Sequence, residues 1–280
     1  MIKDYIKKLE YKNNLQRRNE LKNILQKLSA PFTIQQFRTQ LKKGENIIVD
    51  YPFNKNRLGK KTLLTTHYDT FLNSPGANDN GSGVAVLLEI IKHLINNSCN
   101  KNLRFVFFDL EERIRMVGND VNGSTYYVKK NGTKNIDCVY NLEMVGIGNS
   151  VLLWPINDVL LKEKFLSILI DEIKKKGVNY QIMRQSAPLF NSDHLPFIRS
   201  GFKNVVSLTT NLISDKKYID LFNQKKWGYF FIEYFKYFLF KSGNIPYILK
   251  HYHNSGDRLE FIEEKTLKII FDLLWNCVIK

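Results

Sequence analysis

Histidine and carboxylate side chains recur along this chain at positions that suit metal binding. His67 ends an apolar segment, Asp69 follows two residues later, and Asp79 lies in a Gly-rich turn further on. Additional ligands could come from three later places, namely the pair Glu111–Glu112, Glu143 and His253. Imidazole and carboxylate groups are ordinary ligands of zinc. Their types and order therefore predict a metal site that activates water.

Two histidines and three carboxylates suit a pair of zinc ions. In a two-metal site the ions lie about 3.5–4 Å apart and share a bridging carboxylate. Asp79 is the expected bridge, because a carboxylate in the turn after His67 can offer one oxygen to each ion. His67 and Glu143 are then expected to complete one site. Glu112 and His253 are expected to complete the other.

The remaining acidic residues have expected catalytic roles. Neighbouring residues of an extended strand point in opposite directions, so Glu112 can bind metal while Glu111 stays free. A free glutamate can take a proton from the attacking water and return it to the leaving amine. Asp69 lies two residues from His67 on the same side of the strand, and it is expected to accept the other ring N–H and to fix the tautomer.

Each of these residues also has an ordinary explanation. An acidic pair that follows a strand is usually solvated surface, and a single histidine is more often a loop or core residue than a ligand. Five residues in the right order, most of them at strand ends or in Gly-bounded turns, favour the metal site over coincidence.

Strands and helices alternate along the chain. Apolar segments predict strands at residues 46–51, 62–67, 102–110, 136–142, 179–183 and 204–210, the fifth of them at a sheet edge. Helical spacing of apolar residues predicts helices at 3–28, 81–95, 159–176, 216–240 and 263–278. This alternation indicates an α/β fold, a three-layer αβα sandwich with a mostly parallel mixed sheet. Such folds bind ligands at the carboxyl ends of the strands, where the strand-end candidates fall.

Length and composition indicate one catalytic domain spanning residues 1–280. The chain has 44% hydrophobic residues, and its three cysteines, at wide spacing, are expected to be reduced thiols. The N-terminal segment is charged throughout, unlike a secretion signal, and no apolar stretch is long enough to span a bilayer. We therefore expect a soluble cytoplasmic protein with no membrane partner.

The basic charge suggests a nucleic-acid partner but does not establish one. Lys and Arg outnumber Asp and Glu by 42 to 27, a net charge of +15. The basic residues are spread from end to end without a nucleic-acid motif, so compositional drift is favoured and nucleic acid is not expected as a partner. The aromatic-rich stretch 227–240 could face a membrane, a partner or a second copy, but a helix packed on the core is favoured. The oligomeric state stays open.

The motifs around these residues resemble the successive signatures of metallopeptidase family 28. They are found at residues 66–69, 75–83, 107–112, 141–146, 192–197 and 252–257. That family contains bacterial leucyl aminopeptidases, the glutamate carboxypeptidase II group and relatives of glutaminyl cyclase. The resemblance covers roughly residues 60 to 280 and implies the zinc-exopeptidase (phosphorylase/hydrolase-like) fold.

The resemblance also implies roles for individual residues. It implies that Glu111 is the general base and that the metal ligands are His67, Asp79, Glu112, Glu143 and His253. Tyr252 resembles a tyrosine that some relatives use to stabilise the tetrahedral intermediate. His253 is a better ligand candidate than His251, because Asp257 stands at the family's spacing from it. Asp193 and His194 match a signature and are expected to have a supporting or substrate-side role.

Two features depart from the family's pattern. Glu143 stands where the family's aminopeptidases usually have Asp; the longer side chain can still reach a metal ion and could shift the occupancy of that position. The loop after Glu112 is longer and more basic than usual. Arg113 and Arg115 in that loop could meet an acidic group of a substrate, although a solvated loop is favoured.

These observations predict a zinc-dependent aminopeptidase that acts on short peptides, with cobalt or manganese as alternative metals. The first alternative is a glutaminyl cyclase-like transferase with a single zinc ion. The second is a catalytically degenerate binding protein. Metal content and peptide hydrolysis would separate the three, and the preferred N-terminal residue cannot be read from the sequence.

Overall fold

The computed structural model describes residues 1–39, 42–53, 57–97, 99–112, 122–184, 192–240 and 242–279. Its strands are β1 (Thr33–Arg38), β2 (Lys43–Tyr51), β3 (Lys61–His67), β4 (Leu103–Phe108), β5 (Ile136–Leu142), β6 (Ser150–Trp154), β7 (Asn179–Ile182) and β8 (Val205–Asn211). Its α-helices are α1 (Lys3–Leu9), α2 (Asn14–Lys27), α3 (Gly83–Asn96), α4 (Gly123–Asn131), α5 (Lys164–Lys175), α6 (Leu195–Arg199), α7 (Lys216–Asn223), α8 (Trp227–Phe240) and α9 (Glu264–Leu274).

The strands within these residues form one mixed sheet in the order β1-β2-β4-β3-β5-β8-β6-β7. The four central strands β4, β3, β5 and β8 run parallel, whereas β1, β2 and β6 pair antiparallel with a neighbour. β7 lies at one edge, as the sequence predicted. Because β3, β4 and β5 run parallel, their carboxyl ends lie at the same edge of the sheet. Sheets of this kind bind ligands in a crevice at that edge.

Helices cover both faces of the sheet. Neighbouring residues of a strand face opposite sides, so Leu64 packs in the cluster beneath α3 while Leu63 packs in the cluster beneath α4. On the first face α3 contacts α1 and α9. On the second face Tyr127 of α4 and Phe197 of α6 are buried together. This arrangement confirms the three-layer αβα prediction.

The N-terminal helix differs from the prediction, because residues 3–28 form two helices rather than one. The chain turns between Leu9 and Asn14, where Tyr11 takes the left-handed conformation (φ 59°). The side-chain oxygen of Asn13 then accepts from the Gln16 backbone N–H, and the side-chain oxygen of Gln16 accepts from the Asn13 backbone N–H. This reciprocal capping starts a second helix and gives it a new direction.

The predicted helix at residues 216–240 is likewise two helices, α7 and α8. Lys225, between them, has a left-handed backbone (φ 59°). The sequence also gave no prediction for β1, β6, α4 and α6. Among the described helices, none is both long enough and apolar enough to cross a bilayer. Cys99, Cys138 and Cys277 are all free thiols, as predicted.

Candidate metal centre

The candidate ligands meet at the carboxyl edge of the central strands. His67 is the last residue of β3, and Glu143 directly follows β5, its parallel neighbour. Asp79 lies in the turn Ala77–Ser82 that leads into α3, and this turn is fully buried. Glu112 follows β4, and His253 comes from the loop between α8 and α9. The parallel sheet thus gathers residues that are far apart in sequence.

Two ligand groups share one carboxylate. His67 Nε2 lies 3.3 Å from Asp79 Oδ1 and 3.2 Å from Glu143 Oε1. His253 Nε2 lies 3.6 Å from Asp79 Oδ2 and 2.7 Å from Glu112 Oε2. In each group, one ligand atom from every residue lies within 4.8 Å of the others. Asp79 belongs to both groups and offers a different oxygen to each.

The chemistry of these atoms fits zinc ions. Both carboxylate oxygens of Asp79 and the Nε2 atom of His253 are buried and make no hydrogen bond within the described residues. Buried polar atoms are rarely left without a partner, so such atoms pointing at one another indicate a place for a cation. Nitrogen and carboxylate oxygen donors are those that zinc accepts.

Burial and the charges of neighbouring side chains shift the pKa values of the residues in this cluster. Burial raises the pKa of Glu111 and of Glu112 well above the usual value, and neighbouring carboxylates add to the effect. Burial opposes the charge of Asp79, but His67 outweighs it and holds that pKa at about 2. The pKa of His67 is raised despite burial, since Glu143 and other carboxylates surround it. Like charges packed at this density favour bound cations.

Asp69 holds the acidic pair as well as the histidine. Its carboxylate oxygens accept the backbone N–H groups of Glu111 at 3.1 Å and Glu112 at 3.0 Å. Its carboxylate lies 3.5 Å from His67 Nδ1, while its backbone carbonyl is nearer at 3.2 Å and takes the hydrogen bond. The orientation of the imidazole therefore depends on the main chain of Asp69 more than the sequence suggested.

The acidic pair does not follow strand geometry. β4 ends at Phe108, and Leu110 has a left-handed backbone (φ 61°). The expected alternation between Glu111 and Glu112 therefore does not apply, and both carboxylates have an oxygen near His67 Nε2 or Nδ1. Glu112, however, also belongs to the group with Asp79 and His253. For this reason Glu112 is the better ligand candidate, and Glu111 is the better candidate for the base.

The Asp79 turn is fixed from its far side by Asp257. The two carboxylate oxygens of Asp257 accept the backbone N–H groups of Asn78 at 2.6 Å and of Asp79 at 3.0 Å. Burial raises the pKa of Asp257 to about 7. Asp257 thus orders the candidate bridge itself rather than His253. His251 lies away from the cluster, where its ring stacks on Phe261 at 4.4 Å.

A buried hydrogen-bond chain positions Glu143, and sequence reasoning did not identify it. Ser192 Oγ donates to Glu143 Oε2 at 2.5 Å. Asn141 Nδ2 donates to Ser192 Oγ and to Ser207 Oγ, and its Oδ1 accepts from Thr65 Oγ1 at 2.9 Å. One oxygen of Glu143 is therefore engaged by the protein, and the other faces His67. Ser192 is the first residue of the family motif at 192–197, so the sequence marked its position. Nothing in the sequence indicated that it would bind Glu143.

Asp193 and His194 follow Ser192 in that signature. Asp193 is fully buried, and burial raises its pKa to about 7, against the influence of nearby His67. His194 is also buried, which lowers its pKa to about 3, and its Nδ1 lies 3.0 Å from Ser207 Oγ. The structure thus brings Asp193 near the carboxylate cluster and leaves His194 in the supporting layer against Trp154.

Aromatic rings fix His253 in place. Its imidazole stacks on Phe71 at 4.2 Å and on Tyr252 at 3.6 Å. His253 and Met144, which follows Glu143, both take left-handed backbone conformations (φ 56° and 51°). Such conformations cost free energy in residues with side chains and are concentrated at functional sites. Burial raises the pKa of the Tyr252 phenol well above its usual value.

The buried Arg17 of α2 supports the loop between His67 and Asp79. Its Nε donates to the Tyr68 carbonyl at 2.6 Å, and its Nη1 donates to the Gly76 carbonyl at 3.1 Å. Gly76 has a left-handed backbone (φ 70°), and an added Cβ would lie 2.7 Å from Arg17 Nη1. No part of the sequence pattern pointed to this residue, because an arginine on a helix ordinarily faces solvent.

Most of the candidate ligands line a cavity of about 180 Å³. Its polar part is formed by Asp79, Glu111, Glu112, Glu143 and His253. Its apolar part is formed by Met144, Trp154, Tyr234 and Leu249, with Tyr252 between the two. Arg113 and Arg115 lie outside the described residues. The cavity therefore combines a metal-binding floor with an apolar side.

A family model described as "Peptidase family M28" matches residues 46–278, which leaves α1, α2 and β1 outside the match. Among curated proteins, "Aminopeptidase YwaD" of Bacillus subtilis (strain 168) is 40% identical over 86 residues. Those residues are 30% of this chain and 18% of that protein. The chain thus covers less than a fifth of the length of this relative.

Solved structures share the architecture of the chain. The glutaminyl cyclase of Porphyromonas gingivalis aligns with a TM-score of 0.71 and 18% identity over 99% of this chain and 95% of that one. BSAP, a zinc aminopeptidase from Bacillus subtilis, aligns with a TM-score of 0.59 and 23% identity over 85% of this chain and 50% of that one. At these identities the likeness concerns the fold, and it confirms the α/β fold predicted above.

Proposed function

The chain belongs to peptidase family M28, and from this premise we propose that it is a di-zinc aminopeptidase of short peptides. The observation that supports the proposal most strongly is the sharing of Asp79 between two groups of ligand atoms. One group contains His67 and Glu143, and the other contains Glu112 and His253. Two adjacent groups with a common carboxylate match the design of two-metal hydrolases.

The chain's own residues would bind and orient the reactants. Zinc bound at these positions would supply a Lewis acid that polarises the peptide carbonyl and lowers the pKa of water. Glu111 would accept the proton of the attacking water and deliver it to the leaving amine. The carboxylate of Asp69 would keep Glu111 aligned by accepting the backbone N–H of Glu111. Tyr252 would donate its phenolic hydrogen to the oxygen that gains charge.

The cavity supports a substrate with a free amino terminus and an apolar first side chain. The buried carboxylates would attract the protonated or zinc-coordinating amine, and the wall formed by Met144, Trp154 and Leu249 would bury an apolar side chain. A charged first residue would lose its hydration there without gaining a partner. We therefore expect Leu-, Met- and Phe-initiated peptides to be cleaved faster than Asp- or Lys-initiated ones.

The test combines metal content with hydrolysis. Purified wild-type protein should contain two zinc ions per chain and release the first residue of short peptides. Glu111→Gln should keep both ions and lower kcat by about 10²–10⁴-fold, because it removes the base but no ligand. Glu112→Gln should lose metal as well as activity. Hydrolysis that survives in Glu111→Gln would refute the assignment of the base.

A single-zinc cyclase that acts on N-terminal glutaminyl peptides is the second candidate. The observation that favours it is the engagement of Glu143 by Ser192 at one oxygen and by His67 at the other. Such a hydrogen-bonded pair could stay intact while one ion binds to Asp79, Glu112 and His253. One zinc ion per chain, together with loss of ammonia from a glutaminyl peptide and no cleavage, would replace the aminopeptidase proposal.

A degenerate binding protein is the weaker alternative, since both ligand groups and the base are present. Salt-dependent binding of nucleic acid by a protein that takes up no zinc would favour it. For the compartment we propose the cytoplasm, which the three free cysteines support because thiols stay reduced there. Cobalt or manganese could replace zinc at the same ligands.

A further inference from the structure

Helix α8 presents apolar side chains to solvent along one face. Tyr229, Ile232, Phe235 and Leu239 are 53%, 56%, 62% and 50% exposed. Their spacing of three, three and four residues aligns them on one side of an α-helix. Soluble proteins rarely expose a continuous stripe of large apolar residues unless it binds something.

The opposite side of α8 is anchored to the protein. Glu233 is buried and accepts the Asn244 backbone N–H at 2.8 Å. Tyr234 and Tyr237 pack against a cluster of buried apolar residues beside the cavity. The helix therefore has a fixed orientation, and its exposed stripe is a lasting feature of the surface. The sequence-based expectation of a helix packed on the core holds for one face only.

Exposed lysines lie in α8 and in the segments next to it. Lys225 and Lys226 immediately precede α8, Lys236 lies within its exposed side, and Lys217 belongs to the adjacent α7. Lys236 pairs with Glu233 at 2.9 Å and Lys216 pairs with Asp220 at 3.9 Å, so Lys217, Lys225 and Lys226 are the cations that the described ion pairs leave for an anionic surface. A helix with an apolar face, interfacial aromatic residues and a lysine rim has the composition of helices that lie in the plane of an anionic bilayer surface.

We infer that the exposed face of α8 docks the protein onto an anionic membrane surface, with Tyr229, Ile232, Phe235 and Leu239 entering the interface. The lysines would contact lipid phosphates. Charge decides in favour of this occupant, because a second copy of this chain would bring the same lysine rim against its own. Tyr234 lines the cavity from the anchored side of α8, so docking would also hold the cavity close to the membrane.

Vesicle sedimentation tests this inference without any measurement of activity, so its failure would leave the proposed function untouched. The full chain should bind vesicles that contain phosphatidylglycerol and should bind pure phosphatidylcholine at least tenfold more weakly. High salt should weaken the binding, because it screens the lysines. Absence of binding to the anionic vesicles would overturn the inference.

Two pairs of variants separate this surface from general stickiness. Lys225→Glu with Lys226→Glu should weaken binding by about twenty-fold or more, since each lysine near an anionic surface contributes roughly fivefold. The matched control is Lys7→Glu with Lys8→Glu in α1, which makes the same change of charge on exposed residues elsewhere. Equal loss in both pairs would mean that net charge alone drives binding and would refute a docking face.

The apolar stripe is tested with Ile232→Asp and Phe235→Asp combined. Their vesicle binding should fall at least tenfold, whereas Leu58→Asp, at a side chain that is 97% exposed, should change little. Light scattering after gel filtration gives the oligomeric state of each protein. A wild-type dimer that the α8 variant converts to a monomer would show that a second copy covers the stripe, which would overturn the inference.

Discussion

The hydroxyl group of Tyr252 can be removed without removing the ring that stacks on His253. The two rings stack at 3.6 Å, and phenylalanine retains that contact. If the hydroxyl stabilises developing negative charge, Tyr252→Phe should lower kcat by about 10²–10³-fold with little change in KM. Zinc content should stay at the wild-type value. Steady-state kinetics on a Leu-initiated peptide, with metal analysis of the same sample, would measure both.

A tyrosine that only packs would behave differently. In that case Tyr252→Phe would retain nearly full kcat, and Tyr252→Ala would lower zinc affinity, because His253 would lose one of its stacking partners. The effects of the two substitutions on kcat, KM and zinc affinity thus distinguish a catalytic hydroxyl from a ring that only supports His253.

The sequence identified the candidate metal ligands more completely than the residues that hydrogen-bond to them or to their loops. The candidate ligands could be found because each stands at a strand end, in a Gly-rich turn or in a motif of the family, and the structure brings all of them into one cluster. Their roles as ligands stay a prediction. Ser192, Asn141 and Arg17 were missed, because their roles depend on distances between segments that share no local pattern.

Among the helices, α2 makes the most direct contribution to the centre through Arg17. Arg17→Met keeps much of the side-chain volume but leaves the carbonyls of Tyr68 and Gly76 without their donor. Each unsatisfied buried carbonyl costs about 1–3 kcal/mol. We expect the free energy of unfolding to fall by roughly 3 kcal/mol, measured by urea denaturation. Zinc affinity, measured by competition with a chelator, should fall at least tenfold because the Asp79 loop loosens.

Arg18→Met is the matched control for that variant. Arg18 also lies on α2, but its guanidinium pairs with Asp109 and its Nε donates to the Tyr68 hydroxyl rather than to the loop carbonyls. It should lose stability while keeping its zinc affinity. Equal zinc affinity in both variants would mean that Arg17 supports the fold alone.

The elements of the fold were predicted where the sequence carried a local signal. The central strands are rich in apolar and β-branched residues, so they were found. β1 is mostly polar and exposed, and it is set by pairing with β2, where the Phe37 ring covers the Cα of Gly44. The break between α1 and α2 had a signal that was overlooked, the Asn13–Gln16 capping pattern, because the apolar spacing continues across it.

A cross-strand ion pair ties the sheet together at the end far from the centre. Asp50 of β2 binds Arg104 of β4 through two contacts of 2.7 Å, and Lys61 of β3 lies 2.8 Å away. Although burial opposes the charge, these two cations lower the pKa of Asp50 below its usual value. Its contribution to stability is therefore present above the unfolded-state pKa and is lost as the pH falls through the folded-state pKa.

Asp50→Asn should accordingly lower the free energy of unfolding by about 1 kcal/mol near neutral pH, a modest value because the carboxylate is partly exposed. The difference from wild type should shrink toward zero below about pH 4. Urea unfolding at both pH values would measure it, with Asp137→Asn on an exposed site as the control. A difference that stayed constant with pH would contradict the ion-pair explanation.

At the scale of the whole molecule, part of the negative charge is buried. The chain carries a net charge of +15, yet several of its acids are buried inside. Buried acids are Asp69, Asp79, Asp109, Glu143, Asp193, Asp215, Glu233 and Asp257. The surface is therefore more positive than the net charge suggests. An acidic interior that favours cations and a basic exterior that favours anionic surfaces arise from the same composition.

If zinc binds at the candidate ligands, this burial of acidic residues makes it a determinant of global stability. Removing zinc with a chelator would leave Asp79, Glu111, Glu112 and Glu143 repelling one another inside the protein, whereas the unfolded chain would expose them to water. A ligand that binds only the folded state at a thousandfold excess over its Kd stabilises by about 4 kcal/mol. We expect chelation to lower the Tm by roughly 10 °C and restored zinc to reverse the change.

Variants assign that stabilisation to the ligand groups. Glu112→Gln should lose most of the zinc-dependent shift in Tm, because it removes a ligand of one group. Glu111→Gln should keep the shift and raise the Tm of the zinc-free protein, since it removes a repelling charge without removing a ligand. Calorimetry with and without chelator would measure all four values. If both variants kept the full shift, the zinc would lie elsewhere, and Asp79 could not be its bridge.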